Sequence, residues 1–213
     1  MAGNYPKTEF QVHLGDYVET VTTDQLNGFA ELYGIDRLIP GRYSHLFILN
    51  LYSMEKHQGI PPDLVTQEIK ALEQDSQSYM KPETPYKRKP LRGLWHKHFF
   101  ASLPSTVAHN LSNELGRRGV RQAVETAFHP SKGDRVTPEM ISDLVSAIVE
   151  KPFQKRSDEG RLTGEWIVYA KHRDQNYYLC ISSHKHGDDA IAGNLRTVCC
   201  REFEWLADIM DSE

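Results

Sequence analysis

Glu165-Trp166-Ile167-Val168-Tyr169-Ala170-Lys171 and Tyr177-Tyr178-Leu179-Cys180-Ile181-Ser182 are the two runs that decide the fold class. Both are rich in β-branched and aromatic residues, and the polar Arg173-Asp174-Gln175-Asn176 lies between them, so they read as a β-hairpin. Working toward the C-terminus, Asp188 or Asp189 caps a helix carrying Ile191, Leu195 and Val198. Phe203, Trp205, Leu206 and Ile209 form an apolar closing segment.

Working toward the N-terminus, the signals are helical. Thr137-Pro138-Glu139 starts a helix with Met140, Ile141, Leu144, Val145, Ile148 and Val149 as its apolar stripe. Pro104 opens another, with Val107, Leu111 and Leu115 spaced by four, which Gly116 and Gly119 are expected to end. Leu94 to Phe100 reads as a strand or a short buried segment. Pro62 begins a helix with Leu64, Val65, Ile69 and Leu72 on one face, and Ser44 to Lys56 forms a mostly buried one. Asp24 is expected to cap a helix carrying Leu26, Phe29, Leu32 and Tyr33, closed by Gly34. Phe10, Val12 and Leu14 alternate with polar residues, as in a short strand. The predicted class is α+β. The N-terminal two-thirds is mainly helical, and a small antiparallel sheet is built on the C-terminal hairpin and closing helix. The chain reads as a single domain, 1–213, with a subdivision into a helical region, residues 1–80, and an α+β region, residues 94–213. The Pro-rich basic stretch 81–93, with Lys87-Arg88-Lys89, would connect them.

Composition narrows the class. With 213 residues, 39% hydrophobic and 25% charged, the chain has a globular composition. No apolar run approaches the roughly 20 residues needed to span a bilayer, and the start lacks a secretory pattern. Three cysteines, Cys180 and the adjacent Cys199 and Cys200, make a poor disulfide framework, so a reducing cytoplasmic setting is expected. Net charge is -4, which argues against a general nucleic-acid binder. Charge is unevenly spread, however. Residues 81–135 hold 11 Lys+Arg against 4 Asp+Glu, leaving 14 and 25 for the remainder. That asymmetry fits an anionic partner for the basic region, or internal pairing and a solvated face.

The chain holds 10 His, and one tripeptide occurs twice: His96-Lys97-His98 and His184-Lys185-His186. Residues two apart on a strand share a face, so each copy could present two imidazoles side by side. Three readings are open. The histidines are ordinary surface or hydrogen-bonded residues. Or they form an acid/base pair, since imidazole titrates near neutral pH, with His184 and His98 as base and acid and His96 and His186 beside them. Lys97, Lys185 and Arg196 would then be the cations that hold a phosphate. Or the imidazoles, with Asp188 or Asp189, bind zinc or another transition metal. The acid/base reading needs no cofactor. Arg88 and Arg92 in the basic stretch, with Tyr177 and Tyr178 on the hairpin, would bind RNA by charge and base stacking, although such tyrosines are also ordinary sheet core.

Ser183-His184-Lys185-His186-Gly187-Asp188-Asp189 resembles the His-x-His-x-Asp-His signature of metallo-β-lactamase-fold hydrolases. Asp189 stands where that signature has His, and only 24 residues follow it, so the match is read as coincidental. The hairpin with its neighbouring helix, about residues 160–200, resembles the small ribonucleases of the barnase, colicin and RelE type in arrangement and residue types. That resemblance implies a toxin-like nuclease acting on RNA. The expected function is RNA phosphodiester cleavage by histidine chemistry. The alternatives are a metal-dependent hydrolase and a non-enzymatic inhibitor or adaptor whose basic stretch docks an acidic protein. No membrane partner is expected, and nothing in the sequence fixes an oligomeric state.

Overall fold

The hairpin turns on two residues. Arg173 and Asp174 both adopt positive φ, 50° and 60°, and the strands pair from His172↔Gln175 onward. Two left-handed residues give a turn whose twist matches that of the flanking strands. Gln175 and Asn176, expected in the loop, are therefore the first residues of the second strand.

The computed structural model describes residues 9–14, 17–74, 76–101, 104–133, 135–183 and 186–212. In chain order the elements are β1 (Glu9–Leu14), β2 (Tyr17–Thr22), α1 (Thr23–Leu32), α2 (Ile35–Leu38), α3 (His45–Gln58) and α4 (Asp63–Gln74). Next come β3 (Thr84–Pro85), β4 (Trp95–Phe99), α5 (Pro104–Ala127), α6 (Pro138–Val145) and α7 (Lys151–Asp158). The last are β5 (Glu165–His172), β6 (Gln175–Ser182), α8 (Asp188–Asn194), α9 (Cys200–Glu202) and α10 (Trp205–Asp211). The class is α+β. The strands, however, are not confined to the C-terminal hairpin: β1 and β2 form a separate antiparallel pair near the N-terminus, and β3 and β4 extend the main sheet in the order β3-β4-β5-β6.

The chain divides into two compact units. Unit 1 comprises residues 1–77, 83–99 and 165–213, and unit 2 comprises residues 78–82 and 100–164. Most of the basic stretch expected as a connector therefore lies in unit 1, as β3 and the loop that follows it.

In unit 1 the sheet has a covered face and a polar-bridged face. Val168, Ala170 and Cys180 pack under Ile191, Leu195, Cys199, Phe203 and Leu206. On the opposite face Tyr169 and Tyr178 lie 5.8 Å apart, and Phe47 of α3 sits 5.9 Å from Tyr178. Each such ring, fully enclosed, contributes about 2–3 kcal/mol of apolar burial. Helix α3 is tied to β6 through Ser44, which caps the helix with its side chain and donates to the Leu179 carbonyl at 2.6 Å. Helix α1 is capped by Thr22 rather than Asp24. Its hydroxyl accepts from Gln25 N–H while the Gln25 side chain accepts from Thr22 N–H, the reciprocal arrangement of a capping box.

Unit 2 is helical. Helix α5 bends at Gly116, whose φ of 59° and ψ of -178° no helix interior accommodates, and then resumes to Ala127. The expected stop is therefore a break of one residue. Asn110 of α5 is fully buried. Its amide donates to the Thr106 and Thr163 carbonyls at 2.9 and 2.7 Å, and its oxygen accepts from Thr163 N–H and Arg156 Nε at 3.0 and 3.2 Å. A five-residue π-helical stretch, Ser146–Glu150, joins α6 to α7.

Candidate active site

Strand alternation sorts the first His-Lys-His at once. On β4 the side chains of His96 and His98 leave by one face and Lys97 by the other. The two imidazoles meet edge to face with ring centroids 5.5 Å apart. His96 is half-buried between Tyr86 and Trp166, at 4.8 and 5.2 Å, whereas His98 is buried with Trp166 at 6.3 Å. Lys97 is buried on the opposite face and its Nζ lies 3.2 Å from Glu68 Oε2 of α4. Lys97, expected to hold a phosphate beside these histidines, therefore has its ammonium facing a carboxylate across the sheet from them.

The second copy is described only partly. His184 and Lys185 lie outside the described residues. His186 is exposed, and its Nδ1 stands 3.4 Å from Ser182 Oγ and 3.3 Å from Ser183 Oγ. The His186 N–H donates to the Ser183 carbonyl at 3.0 Å. The ring lines a cavity of about 120 Å³ together with Asn50, Ser182 and Asn194, over a floor of Leu46, Cys180 and Ile191. Asn50 Oδ1 accepts from Ile181 N–H at 2.9 Å, which ties α3 to β6 and anchors one wall.

Register connects the two copies. His98 is paired with Trp166, and Trp166 with Ser182, across three adjacent strands. Cross-strand partners share a face, so His96 and His98 stand on the same side of the sheet as Ser182, which His186 touches. Two strand spacings of about 4.8 Å separate the backbones of His98 and Ser182 by roughly 10 Å, with the Trp166 ring between.

Tyr86 closes the site from the loop between β3 and β4. Its hydroxyl is buried and has no hydrogen-bond partner among the described residues. Burial raises its pKa well above the ordinary phenol value, and nearby Cys180 and Asp188 push the same way, so it remains a proton donor across the working range. The same loop, fixed by Tyr86 N–H donating to the Leu94 carbonyl at 2.9 Å, exposes Arg88 and Arg92.

The remaining expected residues lie apart from this group. Tyr178 is fully enclosed and donates to Glu73 at 2.8 Å, so as placed it offers no face for base stacking. Tyr177 is half-buried, with Phe203 and Trp205 at 5.3 and 4.8 Å. Arg196 is exposed and pairs with Asp211 at 2.6 Å. Among the described residues no group of three or more His, Cys, Asp or Glu is assembled as a metal site. Tyr86, Asn50 and Asn194 are lining residues that sequence reasoning missed. Of these only Asn50 left a trace, as a polar residue within the apolar run of α3.

No protein-family model matches the chain, and no curated protein or solved structure matches it either.

Proposed function

We propose that unit 1 is a catalytic unit that cleaves RNA phosphodiesters by imidazole acid/base chemistry. The observation that carries this reading is the shared sheet face of His96, His98 and the Ser182–His186 pair. His186 is the solvent-reaching imidazole and takes the role of general base at the cavity mouth. His96, half-exposed and backed by His98, is the matching acid. Arg88 and Arg92 replace Lys97 as the cations that hold the backbone, since they are exposed on the loop that also carries Tyr86. Trp166 and Tyr86 frame the imidazoles with aromatic rings, a surface on which a splayed base can stack. Serine hydroxyls within reach of His186 keep its ring oriented.

The test is incubation of the purified chain with end-labelled single-stranded RNA, in the presence of a chelator, beside His186→Ala and His96→Ala. Loss of an acid or base lowers the rate by about 10²–10⁴-fold. Absence of cleavage by the wild-type chain, or equal cleavage by all three proteins, removes the reading. Cleavage that appears only when a divalent transition metal is restored favours the metal-dependent alternative instead.

A further inference from the structure

Unit 2 carries a surface that the site above does not use. Among the described residues it holds most of the large apolar side chains exposed on this chain, including Val120, Val124, Ile141 and Val145. The outer half of α5, residues 116–127, is the clearest case. Only Ala127 is buried along it, while Val120 and Val124 are each 41% exposed. A helical segment of about a dozen residues is marginal in water, and most of its stability comes from packing an apolar face. Here that face is narrow and built of small residues, Gly119, Ala123 and Ala127.

At 100° per residue, Val120 and Val124 form one ridge, with Arg117 and Arg121 directly beside it. The segment has three arginines and one carboxylate, Glu125, which pairs with Arg121 at 3.4 Å. Arg117 and Arg118 have no ion pair among the described residues. An apolar ridge with a cationic margin is complementary to a helix with an apolar ridge and an acidic margin. A second copy of this segment is a poorer occupant, because it brings the same positive excess.

We propose that the outer half of α5 docks an acidic amphipathic helix of a partner protein. Val120 and Val124 form the seam and Arg117 and Arg121 pair with the partner's carboxylates. The inference is independent of the nuclease reading, which concerns unit 1 alone.

The probe is a fluorescein-labelled synthetic helix of about 20 residues with Leu and Ala on one face and Glu on both margins, titrated with the full chain. Saturable 1:1 binding is expected, weakened about tenfold or more by Arg117→Glu with Arg121→Glu and by Val124→Asp. These positions are exposed, and an unchanged circular dichroism spectrum and melting temperature show that the variants are folded. The same peptide with Lys in place of Glu is expected to bind the charge-reversed variant better than the wild type. Equal binding of both peptides by the wild type, or indifference to Val124→Asp, overturns the proposal. So does a dimer, seen by sedimentation, that Val124→Asp dissociates, since the seam then belongs to a second copy. Binding of a single-stranded RNA that the Arg117/Arg121 reversal abolishes, without peptide binding, overturns it in favour of nucleic acid.

Discussion

Glu73 of α4 receives three donors: Arg42 at 2.7 Å, the Tyr178 hydroxyl at 2.8 Å and the Asn176 amide at 3.0 Å. Burial alone would push this carboxyl up, but the hydrogen bonds outweigh it and hold the pKa below the usual value. Glu19 of β2 is a second such hub. Hydrogen bonds from Lys56 at 2.5 Å and Tyr52 at 2.8 Å lower its pKa, and His57 Nε2 stands 3.1 Å away. A carboxylate whose folded pKa is depressed contributes stability above its unfolded value. That contribution is lost as pH falls through the folded one. Melting temperature should therefore fall more steeply for the wild type than for Glu19→Gln as pH drops below about 4.5. Parallel curves would show that the hub does not couple to folding. Lys97–Glu68 permits a sharper experiment. Glu68→Ala removes the carboxylate that faces a buried ammonium and should cost about 3 kcal/mol in denaturant unfolding, whereas Lys97→Met with Glu68→Leu should recover most of the loss. At this scale the sequence is half legible. Strand parity already sets Lys97 opposite its flanking histidines, but its partner lies 29 positions away on a helix, and no local pattern announces it.

Elements are legible where periodicity is strong and obscure where one residue decides the outcome. The β5–β6 hairpin, α3 with its Ser44 cap and α6 with its Thr137 cap are where composition places them. The two-residue strand β3 carries too little pattern to notice, and β1–β2 gives only a weak alternation. The turn at Arg173-Asp174 lacks the glycine that usually marks its type, which is why the sequence suggests a longer loop than the two residues that form it. Gly116 does interrupt the helix, as its type suggests, but the helix resumes at once, which the pattern does not announce. Within α5, Asn110 is the polar keystone of unit 2. Asn110→Ala leaves the Thr163 N–H and the Arg156 Nε–H without their shared acceptor, and should destabilise by about 2 kcal/mol or more. Amide hydrogen exchange should then rise across residues 104–164 while β5 and β6 keep their protection.

At the scale of the whole molecule, the division into units is only partly readable from composition. The Pro-rich basic stretch has the composition of a boundary and holds one crossing, between Pro82 and Glu83, but nothing in it announces that the chain leaves unit 1 again after Phe99 and re-enters it at Glu165. Those two residues are direct register partners on β4 and β5. Paired residues on antiparallel strands stand about 4.5–5.5 Å apart, so residues 100–164 span a gap that a tight turn can close. Replacing them with Asn-Gly should leave unit 1 folded, with Cys180 and Cys199 still protected from a thiol reagent as burial dictates. Rapid modification of both thiols would show that the sheet cannot stand without the intervening segment. The candidate site depends on this topology too, because His98 and Ser182 are 84 positions apart and become neighbours only through β5.

A consequence follows for a chain cut once between Phe99 and Glu165. The break falls between two strands that remain bonded side by side, so the fragments stay together under native conditions and separate only on denaturation. One piece carries β4 and its imidazole pair, and the other carries β5, β6 and His186. Two separately made polypeptides bearing these strands should therefore reassemble as a split protein.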